Sequence, residues 1–239
     1  VFGAASNHAN ESEHAALREI ELDAVSAAAV AIVVSQEERE QLQAEMKLAG
    51  REPVRVQVIA NAHEPQPRTR RPFARRSGIV FVGNFNHLPN RDAVLYFARE
   101  VLPRLLRMPG VAADRRFAFH VVGANAIPPT ILALNGSSLD GTGGVPRVIV
   151  HGYVPSLRPL YARMRVSVAP LRWGAGVKGK VNTAHQLGLP VVATPIAVDG
   201  MHAVDGLDVL LGKTADELAS AVHRAYYNAL SLIHISEPT

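Results

Sequence analysis

Residues 170–195, which read PLRWGAGVKGKVNTAHQLGLPVVATP, constrain the fold of this chain more than any other stretch. An apolar run at Val166–Ala169 leads into a loop rich in glycine. Two lysines, Lys178 and Lys180, follow where a helix is expected to begin. That helix is expected to end at a glycine, and residues 189–193 are typical of a buried parallel strand. A strand, a glycine loop, a helix and a second strand form a βαβ unit, so the chain is expected to contain a parallel sheet.

The glycine loop of this unit is suited to binding an anion. The first amides of a helix have no partner within the helix and carry partial positive charge, and Lys178 and Lys180 add formal charge beside them. The loop is not a Walker loop, because its glycine spacing differs and no Ser or Thr follows Lys180. We therefore predict a diphosphate site here. The alternative is that both lysines are ordinary solvated surface side chains.

Short apolar runs alternate with helical patterns through the rest of the chain after residue 78. This alternation predicts an α/β fold with a doubly wound, Rossmann-like parallel sheet. Asn90 is expected to cap the helix that follows the first strand, and Pro103 to kink that helix or end it early. Besides the two strands of the βαβ unit, strands are expected at residues 79–82, 117–122, 148–150 and 209–211.

Two helices and two strands are expected before this sheet, in residues 10–58, with a capping box formed by Ser35 and Glu38. Two strands are too few to close a sheet, so this part is expected to be an incomplete α/β domain. The ending SLIHISEPT breaks the pattern of the preceding helix and is expected to be a non-native tail. The predicted organisation is a partial α/β domain at 1–61, a basic proline-containing linker at 62–77, a Rossmann-like domain at 78–230 and the tail at 231–239.

Composition excludes several classes of protein. The chain has no cysteine, which excludes disulfides, thiol nucleophiles and cysteine metal sites. No apolar run approaches the roughly 20 residues of a membrane-spanning helix. The first residues lack a signal-peptide pattern, so we expect a cytoplasmic protein. Much of the positive charge lies in the linker, where few aromatic residues interleave. This pattern argues against nucleic-acid binding and leaves a solvated linker or peripheral contact with an anionic membrane. The linker arginines are Arg68, Arg70, Arg71, Arg75 and Arg76.

The histidines show no metal-ligand spacing, so no metal ion and no cofactor are expected. His120 lies in an apolar run and is expected to pack in the core. His151 ends a strand at the edge of the sheet where ligands bind, so a polar role in the site is the alternative for it. No Ser-His-Asp order and no carboxylate pair stands out, and the catalytic residue is left unassigned.

Three segments resemble the nucleotide-sugar domain of group 1 glycosyltransferases, which have the two-domain GT-B fold. They are FVGNFNHLPNRDAVLYFAREVLP, VIVHGYVPSLRPLYARMRVSVAPLRWGAGVKGKV and GLPVVATPIAVDGM. Two earlier pieces, AIVVSQEERE and RVQVIAN, resemble the end of that family's acceptor domain. The resemblance implies a fragment of a hexosyltransferase-type enzyme that moves a sugar from a nucleoside-diphosphate donor to an unknown carbohydrate, lipid or other acceptor, with retention. The catalytic group and the acceptor site are then expected upstream of Val1, and the fragment alone is expected to be inactive.

The same resemblance implies roles for individual residues. Gly83 and Asn84 would face the diphosphate or the sugar, and Gly152, Tyr153 and Val154 would lie against the nucleobase. Two positions at which the family often has glutamates are Ala175 and Thr183 in this sequence. Two alternatives stay open: a nucleotide-binding module without catalysis, and a sugar-nucleotide epimerase of the same fold. The implied donor site consists of Gly83, Asn84, Gly152, Tyr153, Val154, Gly174, Ala175, Gly176, Val177, Lys178, Lys180 and Thr183.

Overall fold

The computed structural model describes residues 4–59, 71–138, 144–174 and 178–228. The chain divides into two compact units, Val1–Ala62 and His63–Thr239. The centre of the glycine loop (175–177), most of the predicted linker and the predicted tail lie outside the described residues. None of the helices within these ranges is both long enough and apolar enough to cross a bilayer.

The first unit contains α1 (Ala4–Ser26), β1 (Ala31–Val33), α2 (Gln36–Leu48) and β2 (Val56–Val58), and its two strands pair in parallel. The predicted cap of α2 is confirmed, because the Ser35 hydroxyl accepts a hydrogen bond from the Glu38 amide at 3.1 Å. The Glu38 carboxylate in turn accepts from the Val34 amide at 3.0 Å, one residue earlier than in the usual box. The backbone amides of Val34 and Glu38, at the start of this helix, are thus both hydrogen-bonded to side chains.

The second unit is a six-stranded sheet in the order β5-β4-β3-β6-β7-β8, with every neighbouring pair parallel. The predicted doubly wound parallel sheet is confirmed. The order of the strands reverses between β3 and β6, which makes this the position where ligands bind in open α/β sheets. The elements of this unit are β3 (Ile79–Asn84), α3 (Leu88–Tyr96), α4 (Leu102–Leu106), β4 (Phe119–Ala124), α5 (Pro129–Leu132), β5 (Val148–Gly152), α6 (Arg158–Tyr161), β6 (Val166–Ala169), α7 (Gly179–Gln186), β7 (Val191–Ala193), β8 (Leu210–Leu211) and α8 (Ala215–Tyr227).

The central strands read as continuous apolar runs because both faces of the sheet are covered. Every residue of β6 and of β7 is buried. On one side α8 contributes Leu218, Val222 and Ala225 to the core. Its start is fixed by the Thr214 hydroxyl, which accepts from the Glu217 amide at 3.2 Å.

The strands that lead to the ligand edge run further than the sequence predicted. β3 and β4 each extend two residues beyond their predicted ends, so that Gly83 pairs with Gly123 and Asn84 with Ala124. Pairing between the two strands holds both glycines in the sheet. Asn84, which follows Gly83, is therefore also held in the sheet by its pairing with Ala124.

The helix after β3 begins earlier than predicted. Its N-cap is His87, and Pro89 lies in the first turn, where a missing amide hydrogen costs little. The prediction that Asn90 caps this helix is wrong, and its side chain is free to bond elsewhere. Further along, residues Phe97–Val101 form a π-helical segment just before Pro103. Since proline cannot give the hydrogen bond that continues the helix, the predicted disturbance is present, and the helix ends at Leu106.

Residues 71–77, the described part of the predicted linker, are ordered against the second unit. Phe73 packs on the core, and the Arg165 guanidinium lies 4.8 Å from its ring centroid and 4.6 Å from that of Tyr226. Arg71 donates to the carbonyl oxygen of Arg75, and Arg76 donates to that of Arg71, each at 2.9 Å. These arginines therefore also hold the local backbone.

Candidate functional site

A pocket of about 380 Å³ opens at the carboxyl ends of β3 and β4. Its other walls come from the segment after β5, from α6 and from the start of α7. It therefore lies at the edge where parallel α/β sheets bind ligands. Six residues of the predicted donor site line it: Gly83, Asn84, Tyr153, Val154, Lys180 and Thr183.

Three further predicted residues are described but are not among the described residues that line the pocket. Gly152, with φ +70°, ends β5 next to Tyr153. Gly174, with φ +121°, begins the glycine loop where a Cβ would stand 3.4 Å from the Pro89 ring. Lys178 is the N-cap residue of α7, and its Nζ donates to the Gly174 carbonyl at 3.2 Å. Ala175, Gly176 and Val177 lie outside the described residues.

Close packing explains the glycines at the strand ends. A Cβ at Gly83 would lie 2.9 Å from the Cγ of Asn90, and a Cβ at Gly123 would lie 2.0 Å from the Cε2 of Phe85. Both distances are shorter than van der Waals contact, and Phe85 is fully buried. Only glycine therefore lets the ends of β3 and β4 approach the helix and the ring beside the pocket.

Lys180 is the cationic side chain of the pocket wall. Its Nζ lies 4.4 Å from the ring centroid of Phe81 and donates a hydrogen bond to the Oδ1 of Asn90. Burial, and secondarily the charge of Lys178, lower the pKa of Lys180 to about 7. Within the described part of the chain, no carboxylate forms an ion pair with Lys180. An anion in the pocket would favour the charged form of this lysine and be attracted by it.

Three asparagines connect the strand ends around the pocket. The Asn84 carbonyl oxygen accepts from the Nδ2 of Asn90 at 2.8 Å. The Oδ1 of Asn84 accepts from the Asn86 amide and from the Nδ2 of Asn125, each at 2.8 Å. The sequence did not indicate Asn90 as a residue of this pocket; Asn125 is not among the described residues that line it and contacts it through Asn84. Asn125 directly follows β4 and has φ +68°, a conformation that asparagine tolerates better than most residues.

Thr183 faces the pocket from the second turn of α7. Its hydroxyl donates to the Gly179 carbonyl at 2.9 Å, which leaves the oxygen's lone pairs able to accept from a ligand hydroxyl. Tyr161, on α6, is buried in the wall, and this burial raises the pKa of its phenol well above the usual range. Among its described residues, the wall therefore combines one cation, polar neutral groups and apolar surface, a composition suited to an anionic ligand that also has apolar surface.

His120 and His151 form a pair outside the pocket. The Nδ1 of His120 lies 2.8 Å from the Nε2 of His151, and the rings stack with centroids 5.1 Å apart. His120 also packs over Gly78, where a Cβ would be 2.8 Å from its ring. Neither histidine is among the described residues that line the pocket, so His151 contacts His120 instead of the ligand site.

The histidine pair predicts a pH dependence of stability. Burial, and then the charge of His151, lower the pKa of His120 to about 4, below the value of about 6.5 of an unfolded histidine. Between these two pH values, His120 is protonated in the unfolded state and neutral in the folded state. Its contribution to stability is therefore fully present above pH 6.5 and is lost as the pH falls towards 4. The free energy of unfolding is expected to fall by about 3 kcal/mol across this window, as measured by urea denaturation at each pH.

His120→Gln is the control for this measurement, because carboxylates titrate in the same window in both proteins. The variant is expected to show a shallower slope between pH 6.5 and 4 than the unaltered chain. Equal slopes in the two proteins would contradict a lowered pKa at His120.

The sequence model of a protein family described as "Glycosyl transferases group 1" matches residues 76–228. This chain belongs to the group 1 glycosyltransferases. The predicted family is therefore confirmed. No curated protein sequence matches the chain significantly.

Solved structures show the same fold at low sequence identity. The structure of TarM, a protein of S. aureus, has a TM-score of 0.70 and 14% identity over 91% of this chain and 40% of its own length. Anabaena Alr3699/HepE in complex with UDP and glucose has a TM-score of 0.63 and 15% identity over 92% of this chain and 60% of its own. The UDP-forming trehalose-phosphate synthase from Burkholderia xenovorans has a TM-score of 0.67 and 12% identity over 91% of this chain and 57% of its own.

These neighbours are GT-B glycosyltransferases, so the GT-B fold predicted for this chain is confirmed. The chain spans 40–60% of the length of these three proteins. Among the described residues, no three His, Asp or Glu side chains are grouped closely enough to hold a metal ion. That the enzyme works without a metal or a cofactor stays a prediction.

Proposed function

We propose that this chain supplies the donor site of a hexosyltransferase that moves a sugar from a nucleoside-diphosphate donor to a carbohydrate, lipid or other acceptor, with retention. The observation that carries the proposal is Lys180, a partly buried cation in the wall of a pocket at the reversal point of the sheet. A buried charge is costly unless an opposite charge meets it. A diphosphate is an anion of suitable size for this pocket.

The residues of the pocket suit different parts of such a donor. Lys180 and the first amides of α7 would stabilise negative charge on the departing diphosphate, as positioned cations and helix ends do in the transition state. Asn84 and Gly83 would lie beside the diphosphate or the sugar. Tyr153, which is 71% exposed, would lie against the base together with Val154. The second unit is also expected to contribute to catalysis by holding the donor in one orientation.

Related enzymes make this donor class reasonable. Anabaena Alr3699/HepE has been solved in complex with UDP-glucose, and the trehalose-phosphate synthase is UDP-forming. Calorimetric titration of the chain with UDP-glucose, UDP and GDP tests the proposal. Saturable binding of at least one of them is expected. No binding of any nucleoside diphosphate or of its sugar would overturn the proposed donor site.

The 239-residue chain is expected to bind its donor weakly and to transfer no sugar. The physical reason is that alignment of the acceptor and exclusion of water require closure of a cleft over the donor, and the proposed acceptor site lies upstream of Val1. Chromatographic product analysis with a panel of sugar and lipid acceptors measures transfer. Turnover by the purified chain would place the catalytic group within the sequence itself.

A nucleotide-binding module without catalysis is the second candidate. Ala175 favours it, since the resemblance implies a family glutamate at this position and a methyl group cannot replace a carboxylate. Product analysis on the protein with its upstream sequence restored separates the candidates. Transfer to an acceptor supports the glycosyltransferase, and altered sugar without an acceptor supports an epimerase of the same fold. Binding without either product supports the module.

We also propose a cytoplasmic protein that contacts anionic membranes through the arginines around residues 71–76. Arg71 and Arg75 are exposed, and Arg116 donates to the Arg75 carbonyl at 3.3 Å, which brings a further guanidinium group to this surface. Co-sedimentation with phosphatidylglycerol vesicles is expected at low salt and is expected to be lost in about 0.5 M salt, where charges are screened within a few ångströms. Lack of sedimentation at low salt would contradict this contact, and nucleic acid competing with the vesicles would contradict the choice of partner.

A further inference from the structure

We propose that Asn90 is a positioning residue that fixes the Lys180 ammonium group at the pocket while leaving its positive charge available to the ligand. The inference rests on the proposed donor site and adds to it a residue that acts through another. Asn90 lies in the first turn of α3, and Lys180 lies in the first turn of α7, 90 residues later in the chain. One side chain therefore joins the two helices that begin at the reversal point of the sheet.

The two hydrogen bonds of Asn90 define the orientation of its amide group. Its Nδ2 donates to the Asn84 carbonyl oxygen at 2.8 Å, so the NH₂ end must point to β3. Its Oδ1 then faces the Nζ of Lys180 and accepts from it. The Cα of Gly83 leaves room for this arrangement, since a Cβ there would lie 2.9 Å from the Cγ of Asn90. An amide side chain offers a donor to one partner and an acceptor to the other in this geometry.

The surroundings of Lys180 explain why a neutral partner matters. Among the described residues, the titratable groups near it are Lys178 at the start of α7 and the phenols of Tyr153 and Tyr161 in the pocket wall. The carboxylate nearest in sequence to Asn90 is that of Asp92, which forms a bidentate pair with Arg172. An aspartate at position 90 would neutralise the lysine and repel a diphosphate. An asparagine orients the ammonium group and leaves a diphosphate to balance its charge.

A purely structural role for Asn90 makes a different prediction. If the side chain only linked β3 to α3, its removal would change stability but not the titration of Lys180. If it positions the ammonium group, its removal must alter the relative stability of the charged and neutral lysine. The pKa of Lys180 therefore distinguishes the two roles, and it is measured in the protein without ligand.

The experiment follows the ε-carbon signals of ¹³C-labelled lysine by NMR between about pH 5 and 10, a range that brackets a lowered and an ordinary lysine pKa. The lysines of the chain are Lys47, Lys178, Lys180 and Lys213, so a single Lys180→Arg variant identifies the signal. Its midpoint is expected near 7 in the unaltered chain. Asn90→Ala is expected to lower the midpoint by about one unit, because the charged form loses a hydrogen bond. Asn90→Asp is expected to raise it by about one to three units, because an opposite charge is added.

Asn125→Gly is the matched control, because Asn125 bonds the same Asn84 but, in the described part of the chain, is not hydrogen-bonded to Lys180. It is expected to leave the Lys180 midpoint unchanged. The positioning role is overturned if the Asn90 variants, confirmed as folded by their amide spectra, titrate like the unaltered chain. It is also overturned if Asn125→Gly shifts the midpoint as far as they do.

Titration with UDP-glucose then separates this inference from the proposed function. The diphosphate of this probe does not ionise near neutral pH, so changes in affinity around pH 7 report the protein. Affinity is expected to decrease above about pH 7 in the unaltered chain, and Asn90→Asp is expected to bind about tenfold or more weakly at about pH 6. Shifted lysine midpoints without any binding of UDP-glucose would support the positioning of Lys180 and count against a UDP-glucose donor site. Binding of UDP-glucose without shifted Lys180 midpoints in the Asn90 variants would overturn the role of Asn90 and leave the proposed donor site standing.

Discussion

Replacing Lys180 by alanine is expected to weaken nucleotide binding by about 1.5–3 kcal/mol, or roughly 10- to 150-fold. The lysine lines the pocket, and in the described part of the chain its charge is not balanced by a carboxylate. A bound diphosphate would therefore make a charge-assisted hydrogen bond that alanine cannot replace. Calorimetric titration at about pH 6.5, where most of the lysine is charged, measures the loss.

The loss should be similar for UDP and GDP, since Lys180 is expected to meet the diphosphate and not the base. Lys178→Ala is expected to weaken binding in the same direction. Lys213→Ala is the matched control, because this exposed lysine is not among the described residues that line the pocket. Unchanged affinity for UDP and GDP in both the Lys178 and Lys180 variants would show that these lysines are ordinary solvated surface side chains.

Introducing a side chain at Gly123 is expected to destabilise the second unit strongly. The first added carbon of Gly123→Val would lie 2.0 Å from the Cε2 of Phe85 and 2.4 Å from its Cδ2. Phe85 is fully buried, so its ring can move only by displacing other core side chains. A loss of about 3 kcal/mol of unfolding free energy is expected, at the upper end of overpacking effects. Urea denaturation measures it.

Gly179→Ala is the matched control for this variant. Within the described residues, no atom lies within 4 Å of a Cβ built at Gly179, and this residue begins α7, where alanine favours a helix. Its stability should be unchanged or slightly higher. Gly123→Val and Gly179→Ala proteins of equal stability would show that the end of β4 can relax around Phe85. The close approach would then not explain the glycine.

The proposed donor site combines residues that are distant in sequence. The first strand of the second unit supplies Gly83 and Asn84, the segment after β5 supplies Tyr153 and Val154, and α7 supplies Lys180. Each was singled out in the sequence on the glycine loop or on the resemblance to the family. Their common pocket depends on the place of each strand in the sheet. Asn90 shows the difference, since the sequence predicted a cap and the structure has a link to Lys180.

Several features of this chain were determined by the sequence itself, because their causes lie within a few residues. The glycine loop between two buried strands required a βαβ unit, and alternating apolar runs required a parallel sheet. Ser35 and Thr214 fixed helix starts through bonds to amides three residues later. Pro103 disturbed its helix because the missing amide hydrogen is a property of proline alone.

Other features were decided by the tertiary structure, because they depend on contacts across the whole core. The strand order brings the ends of β3 and β6 together, and no local pattern specifies which strands become neighbours. The helix after β3 starts at Leu88, which frees Asn90 to reach Lys180. The lowered pKa of that lysine follows from burial among residues of other elements. His151 likewise contacts His120, because the register between β4 and β5 places the two rings side by side.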